Sequence, residues 1–79
     1  MTTDEVFEVV RSSTGRILDV DTAAMTLDGT LGDLGANSVD RADIVTQSML
    51  ALDVRVPARE FRDVTNIRSL VDVLRRYVA

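Results

Sequence analysis

Apolar residues recur at helical spacing in this chain, and no stretch alternates between apolar and polar residues as a half-buried strand would. One stripe near the start consists of Val6, Val9, Val10 and Ile17, with Phe7 beside it. Another near the end consists of Ile67, Leu70, Val71, Leu74 and Val78. Because the chain has only 79 residues, we expect one domain, residues 1–79, with a small core and an all-α fold.

Capping residues predict where the first two helices begin. Thr2 precedes the first stripe and Glu5 follows three residues later, which is the pattern of a capping box. Ser38 is predicted to cap a second helix over residues 38–52. Gly15 lies near the end of the first helix, so the sequence leaves the last turn of that helix open.

The end of the chain adds a short helix and a third long one. Pro57 suits the first position of a short helix over residues 57–62, in which Phe61 would be the buried residue. Thr65 is predicted to cap the last helix. The expected fold is therefore a small four-helix bundle, with three main helices, one short helix and a long first loop.

The predicted second helix has two apolar sides. One consists of Ile44, Val45 and Leu52, with Ser48 between them. The other consists of Val39, Ala42, Met49 and Leu50. A helix at the surface of a bundle needs only one apolar stripe. The second side is therefore either additional core or a surface that binds a partner.

The connection between the first two helices, residues 18–37, is long and rich in turn-forming Asp and Gly. Its apolar residues include Met25, Leu27, Leu31 and Leu34. Loops of this length inside small domains are usually functional or ordered by packing. We therefore expect these side chains to hold the loop against the core.

The residue types that the chain lacks exclude much chemistry. It contains no Cys, His, Trp or Lys, and all nine basic residues are Arg. A thiolate nucleophile, a Cys or His metal ligand, a Ser-His-Asp triad and a Schiff-base lysine are therefore impossible. We expect no catalytic residue and no metal site. A hydrolase built on carboxylates has little support, because the acids show no paired, buried setting.

The net charge of −4 is unevenly distributed. Residues 19–53 contain seven acids and one Arg, whereas residues 54–79 contain three acids and six Arg. The acidic middle is either a solvated surface or one that attracts a basic partner. The negative net charge argues against binding to nucleic acid.

The longest apolar run, Met49 to Leu52, is too short to span a membrane, and no signal peptide is visible. We expect a cytoplasmic monomer.

Residues 33–40 are the most informative stretch, because a glycine turn there delivers Ser38 to the start of an acidic helix. A serine at the end of a long loop is expected to be exposed, and a helix N-terminus stabilises an anion. A phosphate group on Ser38 would therefore be favoured. On these grounds alone, we prefer the interpretation that Ser38 caps the helix and has no further role.

The chain resembles the acyl carrier proteins of fatty-acid, polyketide and peptide synthases. These carry a motif of the type Asp-Leu-Gly-x-Asp-Ser-Leu at the start of the second helix. The residues in register here are Asp33, Leu34, Gly35, Ala36 and Ser38. The Val56-Pro57 pair after the second helix and the terminal helix also match, so the resemblance covers essentially the whole chain.

The resemblance implies a carrier and not an enzyme. A phosphopantetheinyl transferase would attach 4′-phosphopantetheine covalently to Ser38, and the thiol of that arm would carry an acyl group as a thioester. Some positions depart from the family's pattern: Asn37 replaces the usual Asp, Val39 the usual Leu or Met, and the short helix contains Arg59 and Arg62. These differences disfavour a generic fatty-acid role and predict a less acidic, more apolar docking face.

The segment 35–43, with residues 37–41 as its core, resembles the free-standing donor carriers of polyketide β-branching. The partners implied are an acyltransferase that loads malonyl, a decarboxylating ketosynthase that converts it to acetyl, and a hydroxymethylglutaryl-synthase-like enzyme. That enzyme would add the acetyl group to a β-ketone held on another carrier. The predicted partner-binding residues are Val39, Asp40, Arg41, Ala42, Asp43, Thr46 and Met49.

Simpler roles exist for three of these residues. Asp40 could serve the helix dipole and nothing more, and Met49 could simply be part of the core. Arg41 could be a solvated side chain without a function. Two other functions also remain open. One is a general polyketide or peptidyl carrier with an unusual motif. The other is an unmodified helical protein-interaction module in which Ser38 is only a cap.

Overall fold

Three α-helices account for most of residues 1–78, the part of the chain that the computed structural model describes. Their bounds are Thr3–Leu18 for α1, Ser38–Leu52 for α2 and Ile67–Tyr77 for α3. Two 3-10 helices lie between them, namely Gly32–Leu34 in the long loop and Ala58–Phe61, here called the short helix. No strand occurs within residues 1–78. The predicted all-α helical bundle is confirmed.

Side chains from all three α-helices meet in one core. The largest apolar side chains that are fully or almost fully buried are Val6, Val10, Ile44, Ile67, Leu70, Val71 and Leu74. Those of α1 and α3 come from the predicted stripes, because a repeat of 3.6 residues turns such positions to one side of a helix. Three stripe residues are only half-buried, namely Val9 and Ile17 of α1 and Val78, which follows α3 as its C-cap.

Helix α1 begins with the predicted capping box. The Glu5 backbone N–H donates to Thr2 Oγ1 at 3.2 Å, and the Thr2 N–H donates to Glu5 Oε1 at 2.9 Å. Hydrogen bonds from the Thr2 backbone and side chain lower the pKa of Glu5. Gly15 does not end the helix, which continues to Leu18, and Asp19 in a left-handed conformation closes it.

The long loop is held both on the core and on the start of α3. Its buried side chains are Met25, Leu31 and Ala36, and Leu27 and Leu34 pack against the core in part. The Gly29 carbonyl accepts from the Ile67 N–H at 2.9 Å, and the Leu27 carbonyl accepts from the Arg68 N–H at 2.8 Å. These two N–H groups begin α3 and have no helical acceptor of their own. The predicted docking of the loop is confirmed.

Asn66 caps α3, so the prediction that Thr65 caps it is wrong. Asn66 Oδ1 accepts from the Ser69 N–H at 2.9 Å, and Ser69 Oγ accepts from the Asn66 N–H at 3.1 Å. Asn is a stronger capping residue than Thr, and it stands one position nearer the helix. Thr65 contributes only its backbone N–H, which donates to Ser69 Oγ at 3.0 Å.

The short helix begins after Pro57 and not at it, which corrects the predicted boundary. Pro57 has a ψ of 142°, so its backbone is extended, and its carbonyl accepts from the Glu60 N–H at 2.9 Å. A hydrogen bond between a carbonyl and the N–H three residues later is typical of a 3-10 helix, whereas an α-helix joins groups four residues apart. Phe61 packs against the core as predicted, but it is half-buried and not fully buried.

Helix α2 has one buried line and one exposed face. Ile44 and Ser48 have no exposure to solvent, and Ser48 Oγ donates to the Ile44 carbonyl at 2.8 Å, which satisfies the hydroxyl inside the core. The predicted second apolar side does not act as one unit. Met49 packs against the core in part, whereas Val39 and Leu50 each retain 68% exposure. Only the outer part of that side is free for a partner.

The helices give no sign of a membrane segment. Within residues 1–78, none of them combines the length and the apolar character that crossing a bilayer requires.

Ile44 and Val39 provide a test of which side of α2 belongs to the core. Ile44→Ala is expected to lower the free energy of unfolding by about 2–5 kcal/mol, because it leaves a cavity in the core. Val39→Ala, in the same helix, should change it by less than about 0.5 kcal/mol. Urea denaturation followed by circular dichroism measures both, and equal losses would contradict the assignment.

Candidate functional site

The path of the chain into α2 depends on a turn at Gly35. This residue has a φ of +94°, which glycine adopts without strain, and it closes the 3-10 helix Gly32–Leu34. Ala36 follows and is buried, with its N–H donating to the Leu31 carbonyl at 3.2 Å. The turn and the buried Ala36 together bring Asn37 and Ser38 to the surface at the start of the helix.

Asn37 caps α2, so the prediction that Ser38 is the cap is wrong. Asn37 Oδ1 accepts from the Asp40 N–H at 2.8 Å, and Asp40 Oδ2 accepts from the Asn37 N–H at 3.1 Å. This is a capping box made by an Asn and an Asp. Asn competes well with Ser as a cap, and Asp40 adds the reciprocal bond. Ser38 is therefore the first helical residue, and its hydroxyl is not used for capping.

The Ser38 side chain is exposed and has one hydrogen-bond neighbour in residues 1–78. Arg41 Nη2 donates to Ser38 Oγ at 3.4 Å, a long contact that links residues three positions apart on one side of the helix. The backbone N–H groups of Ser38 and Val39 have no acceptor in the described chain. A phosphate attached to Ser38 would lie beside both of these donors, at the positive end of the helix dipole.

Five of the predicted partner-binding residues are exposed on α2, and four of them have no side-chain hydrogen bond within residues 1–78. They are Val39, Ala42, Asp43 and Thr46, and all of them are exposed. The spacing of Val39, Asp43 and Thr46 places them on one line along the helix. Leu50 continues that line and is also exposed, although the predicted set omitted it. We call Val39, Asp43, Thr46 and Leu50 the outward stripe; the spacing from Val39 to Leu50 is the signal that could have revealed it.

The other three predicted residues have different surroundings. The Asp40 carboxylate is engaged in the capping box, and Met49 is half-buried against the core. Arg41 is exposed, but it lies beside Ser38 and not on the outward stripe. For Asp40 and Met49 the structure therefore provides the simpler roles, whereas Arg41 acquires a specific neighbour.

A shallow apolar groove runs between α2 and the short helix, and we call it the α2 groove. Its lining residues include Leu31, Arg41, Ala42, Val45, Met49, Val56 and Phe61. Ser38, Ala42, Val45 and Met49 follow one another at helical spacing, so Ser38 lies on the groove side of α2. The site thus has three parts in a row: an exposed hydroxyl, a cation and an apolar groove.

The acidic residues near the site do not form a metal centre. Within residues 1–78, no group of three or more Asp or Glu side chains is arranged to hold a metal ion.

Comparison with known proteins identifies the kind of site. Residues 8–74 match the family model described as a phosphopantetheine attachment site. The chain is 35% identical over 75 residues to the polyketide biosynthesis acyl-carrier-protein AcpK of Bacillus subtilis, covering 94% of this chain and 92% of that protein. It is 30% identical over 80 residues to the acyl carrier protein of Guillardia theta, covering 100% of this chain and 99% of that protein. The chain belongs to the acyl carrier protein family.

A further relative of this acyl carrier protein is much longer. The carrier is 29% identical over 74 residues to the non-reducing polyketide synthase pkbA of Emericella nidulans. The match covers 94% of the carrier and 3% of the synthase. No solved structure matches the carrier significantly.

The cofactor of the carrier is covalent 4′-phosphopantetheine, and the carrier itself is not an enzyme. The residues at the start of α2 fit this group, because they combine an exposed hydroxyl, a nearby guanidinium and two free backbone N–H groups. The arm supplies the thiol on which an acyl group is held, which the sequence itself cannot supply because it contains no Cys.

The roles of Asn37 and Ser38 can be separated by stability measurements. Asn37→Ala is expected to lower the free energy of unfolding by about 1 kcal/mol, because the capping box is lost. Ser38→Ala should change it by less than about 0.5 kcal/mol, since its hydroxyl does not cap the helix. Urea unfolding of both variants decides the matter. A larger loss for Ser38→Ala would contradict the assignment of Asn37 as the cap.

Proposed function

We propose that Ser38 is the residue that bears 4′-phosphopantetheine, within a single carrier domain over residues 1–79. The observation that carries this proposal is the exposed Ser38 hydroxyl, which stands at the first position of α2 and is free of any capping role. It lies inside the region that matches the phosphopantetheine attachment family. Ser48, by contrast, is fully buried on the same helix and is closed to a modifying enzyme.

The carrier's own residues supply the nucleophile for this attachment but no base. The guanidinium of Arg41 beside Ser38 acts as a hydrogen-bond donor and offers no acceptor. The Asp40 carboxylate is held by the Asn37 N–H in the capping box. The phosphopantetheinyl transferase must therefore remove the proton from Ser38 Oγ as that oxygen bonds to the phosphorus that bears pantetheine in coenzyme A. The pyrophosphate bond from this phosphorus to its bridging oxygen breaks at the same time, and 3′,5′-adenosine diphosphate leaves.

Within polyketide biosynthesis, we propose that the carrier acts as a donor in β-branching. It would hold malonyl, and then acetyl, as a thioester on the arm. This proposal is supported by the likeness to a polyketide biosynthesis carrier of Bacillus subtilis and by the segment Asn37-Ser38-Val39-Asp40-Arg41. Its partners would be an acyltransferase, a decarboxylating ketosynthase and a hydroxymethylglutaryl-synthase-like enzyme.

These partners would dock on the outward stripe in turn. The stripe offers two exposed apolar side chains, Val39 and Leu50, with Asp43 between them to meet a basic residue. A single helix face of this size suits a small, transient interface, which a carrier that visits several enzymes requires. A general polyketide or peptidyl carrier would use the same stripe, so the donor role needs its own test.

The attachment is tested by intact-mass measurement. The carrier is incubated with coenzyme A and a broad-specificity phosphopantetheinyl transferase, and its mass is expected to rise by one phosphopantetheine group. Ser38→Ala should show no gain. Ser12→Ala, which removes an exposed serine of α1, should show the full gain. A gain that survives Ser38→Ala would place the arm elsewhere, and no gain in the unaltered carrier would favour an unmodified interaction module.

The donor role is tested in a reconstituted β-branching reaction. The acetyl-loaded carrier is compared with an acetyl-loaded carrier of fatty-acid synthesis as donor to the hydroxymethylglutaryl-synthase-like enzyme. We expect kcat/KM to be at least about tenfold higher with this carrier, since an interface residue at a well-packed contact contributes more than about 1 kcal/mol. Equal values would remove the donor role and leave a general carrier.

A further inference from the structure

We infer that Arg41 binds the phosphodiester of the phosphopantetheine arm and thereby sets the direction in which the arm leaves Ser38. The inference rests on the proposed attachment of the arm to Ser38. Arg41 stands three residues after Ser38 on α2, and its Nη2 donates to Ser38 Oγ at 3.4 Å. In this inference Arg41 is a positioning residue, which touches the arm near its base and takes no part in the thioester chemistry at its tip.

The distance makes the contact direct. Once the arm is attached, its phosphorus is bonded to Ser38 Oγ, and the two non-bridging oxygens lie one bond further out. A guanidinium nitrogen that already reaches Oγ is therefore within hydrogen-bond reach of these oxygens after a small side-chain rotation. The guanidinium also offers paired N–H donors in a planar fork, which match two phosphate oxygens better than any other side chain does.

Arg41 is free for this role. The ion pairs within residues 1–78 are Arg11 with Glu8 and Arg68 with Asp28, and neither involves Arg41. The neighbouring Asp40 carboxylate is held in the capping box, and Asp43 lies on the outward stripe. A guanidinium without a carboxylate partner retains its charge and its donors for an anion.

The charge of the surrounding segment adds a reason for the contact. Arg41 is the only basic residue among residues 19–53, which also contain seven acids. A phosphodiester attached in the middle of this segment is repelled by the acids, and Arg41 is the one cation of the segment that offsets the repulsion. The position of this cation thus decides on which side of the helix the phosphate is most stable.

Arg41 also lines the α2 groove, so it holds the phosphate on the groove side of α2. The arm would then leave Ser38 over the groove, which Thr46 of the outward stripe also lines. Val39 and Leu50 do not line the groove, so they would remain uncovered by the arm and available to partners.

Nuclear magnetic resonance tests the contact. The holo forms of the unaltered carrier, Arg41→Gln, Arg41→Lys and Arg55→Gln are prepared with the transferase and coenzyme A, and intact mass confirms the arm. Arg55→Gln is the matched control. It removes the same charge from an exposed site just beyond Leu52, the other end of α2, which lies about 17 Å from Arg41 along the helix. The Nε–Hε signal of Arg41 is assigned in the unaltered carrier through its bonds to the assigned backbone signals of Arg41.

The expected result is a shift of the Arg41 Nε–Hε signal when the apo carrier becomes holo. The phosphorus-31 signal of the holo carrier should move in Arg41→Gln, move less in Arg41→Lys, which keeps a charge without the fork, and stay unchanged in Arg55→Gln. An Arg41 signal that does not move between the apo and holo forms of the unaltered carrier overturns the inference, even if the variants fail to fold.

Other outcomes are equally decisive. A slower attachment of the arm to Arg41→Gln with an unchanged phosphorus-31 signal would make Arg41 a contact for the transferase and would overturn the inference. No gain in mass in the unaltered carrier would overturn the proposed attachment itself, and the inference with it. A gain in mass without any shift at Arg41 would overturn the inference alone.

Discussion

The burial of Ile44 and Ser48 in the core is the constraint on which the functional surface depends. Only this line of α2 is fully removed from solvent, and the hydroxyl of Ser48 finds its acceptor within the helix at the Ile44 carbonyl. The rotation that turns these two side chains inward turns Val39 and Leu50 outward and leaves Ser38 at the edge of the groove. One helix can therefore anchor the bundle and present Ser38, the proposed attachment site, because the two tasks use different sides of it.

The start of α2 is prepared by groups that are not themselves functional. Buried Leu31 and Ala36 fix the loop, Gly35 provides the left-handed turn, and Asn37 closes the capping box with Asp40. Each of these contacts is satisfied without the Ser38 hydroxyl. The hydroxyl is thus positioned by its neighbours and remains open to a transferase. The start of α3 is likewise held by residues outside the helix, because carbonyls of the long loop accept hydrogen bonds from its first N–H groups.

Charge is arranged so that attraction and orientation come from different residues. The acids of residues 19–53 make the middle of the chain negative as a whole, which favours approach of a basic partner. Arg41, inside that segment, is close enough to Ser38 to act on a single attached group. Field effects of the acids reach across the surface and are weakened by salt, whereas a paired hydrogen bond acts only at contact.

The sequence by itself determined the helical class, most of the buried stripes of α1 and α3 and the docking of the long loop, and it singled out Ser38 as the attachment site that we propose. These follow from local periodicity, turn residues and a contiguous motif. The tertiary structure decided which apolar residues of α2 are core, because Met49 and Leu50 are adjacent in sequence and differ only in what packs against them. It also decided the caps, since Asn37 and Ser38 are both good capping residues and only the backbone shows which one reaches Asp40. The contact of Arg41 with Ser38 needed the structure for the same reason: helical spacing places them on one side, but the path of a long side chain depends on its surroundings.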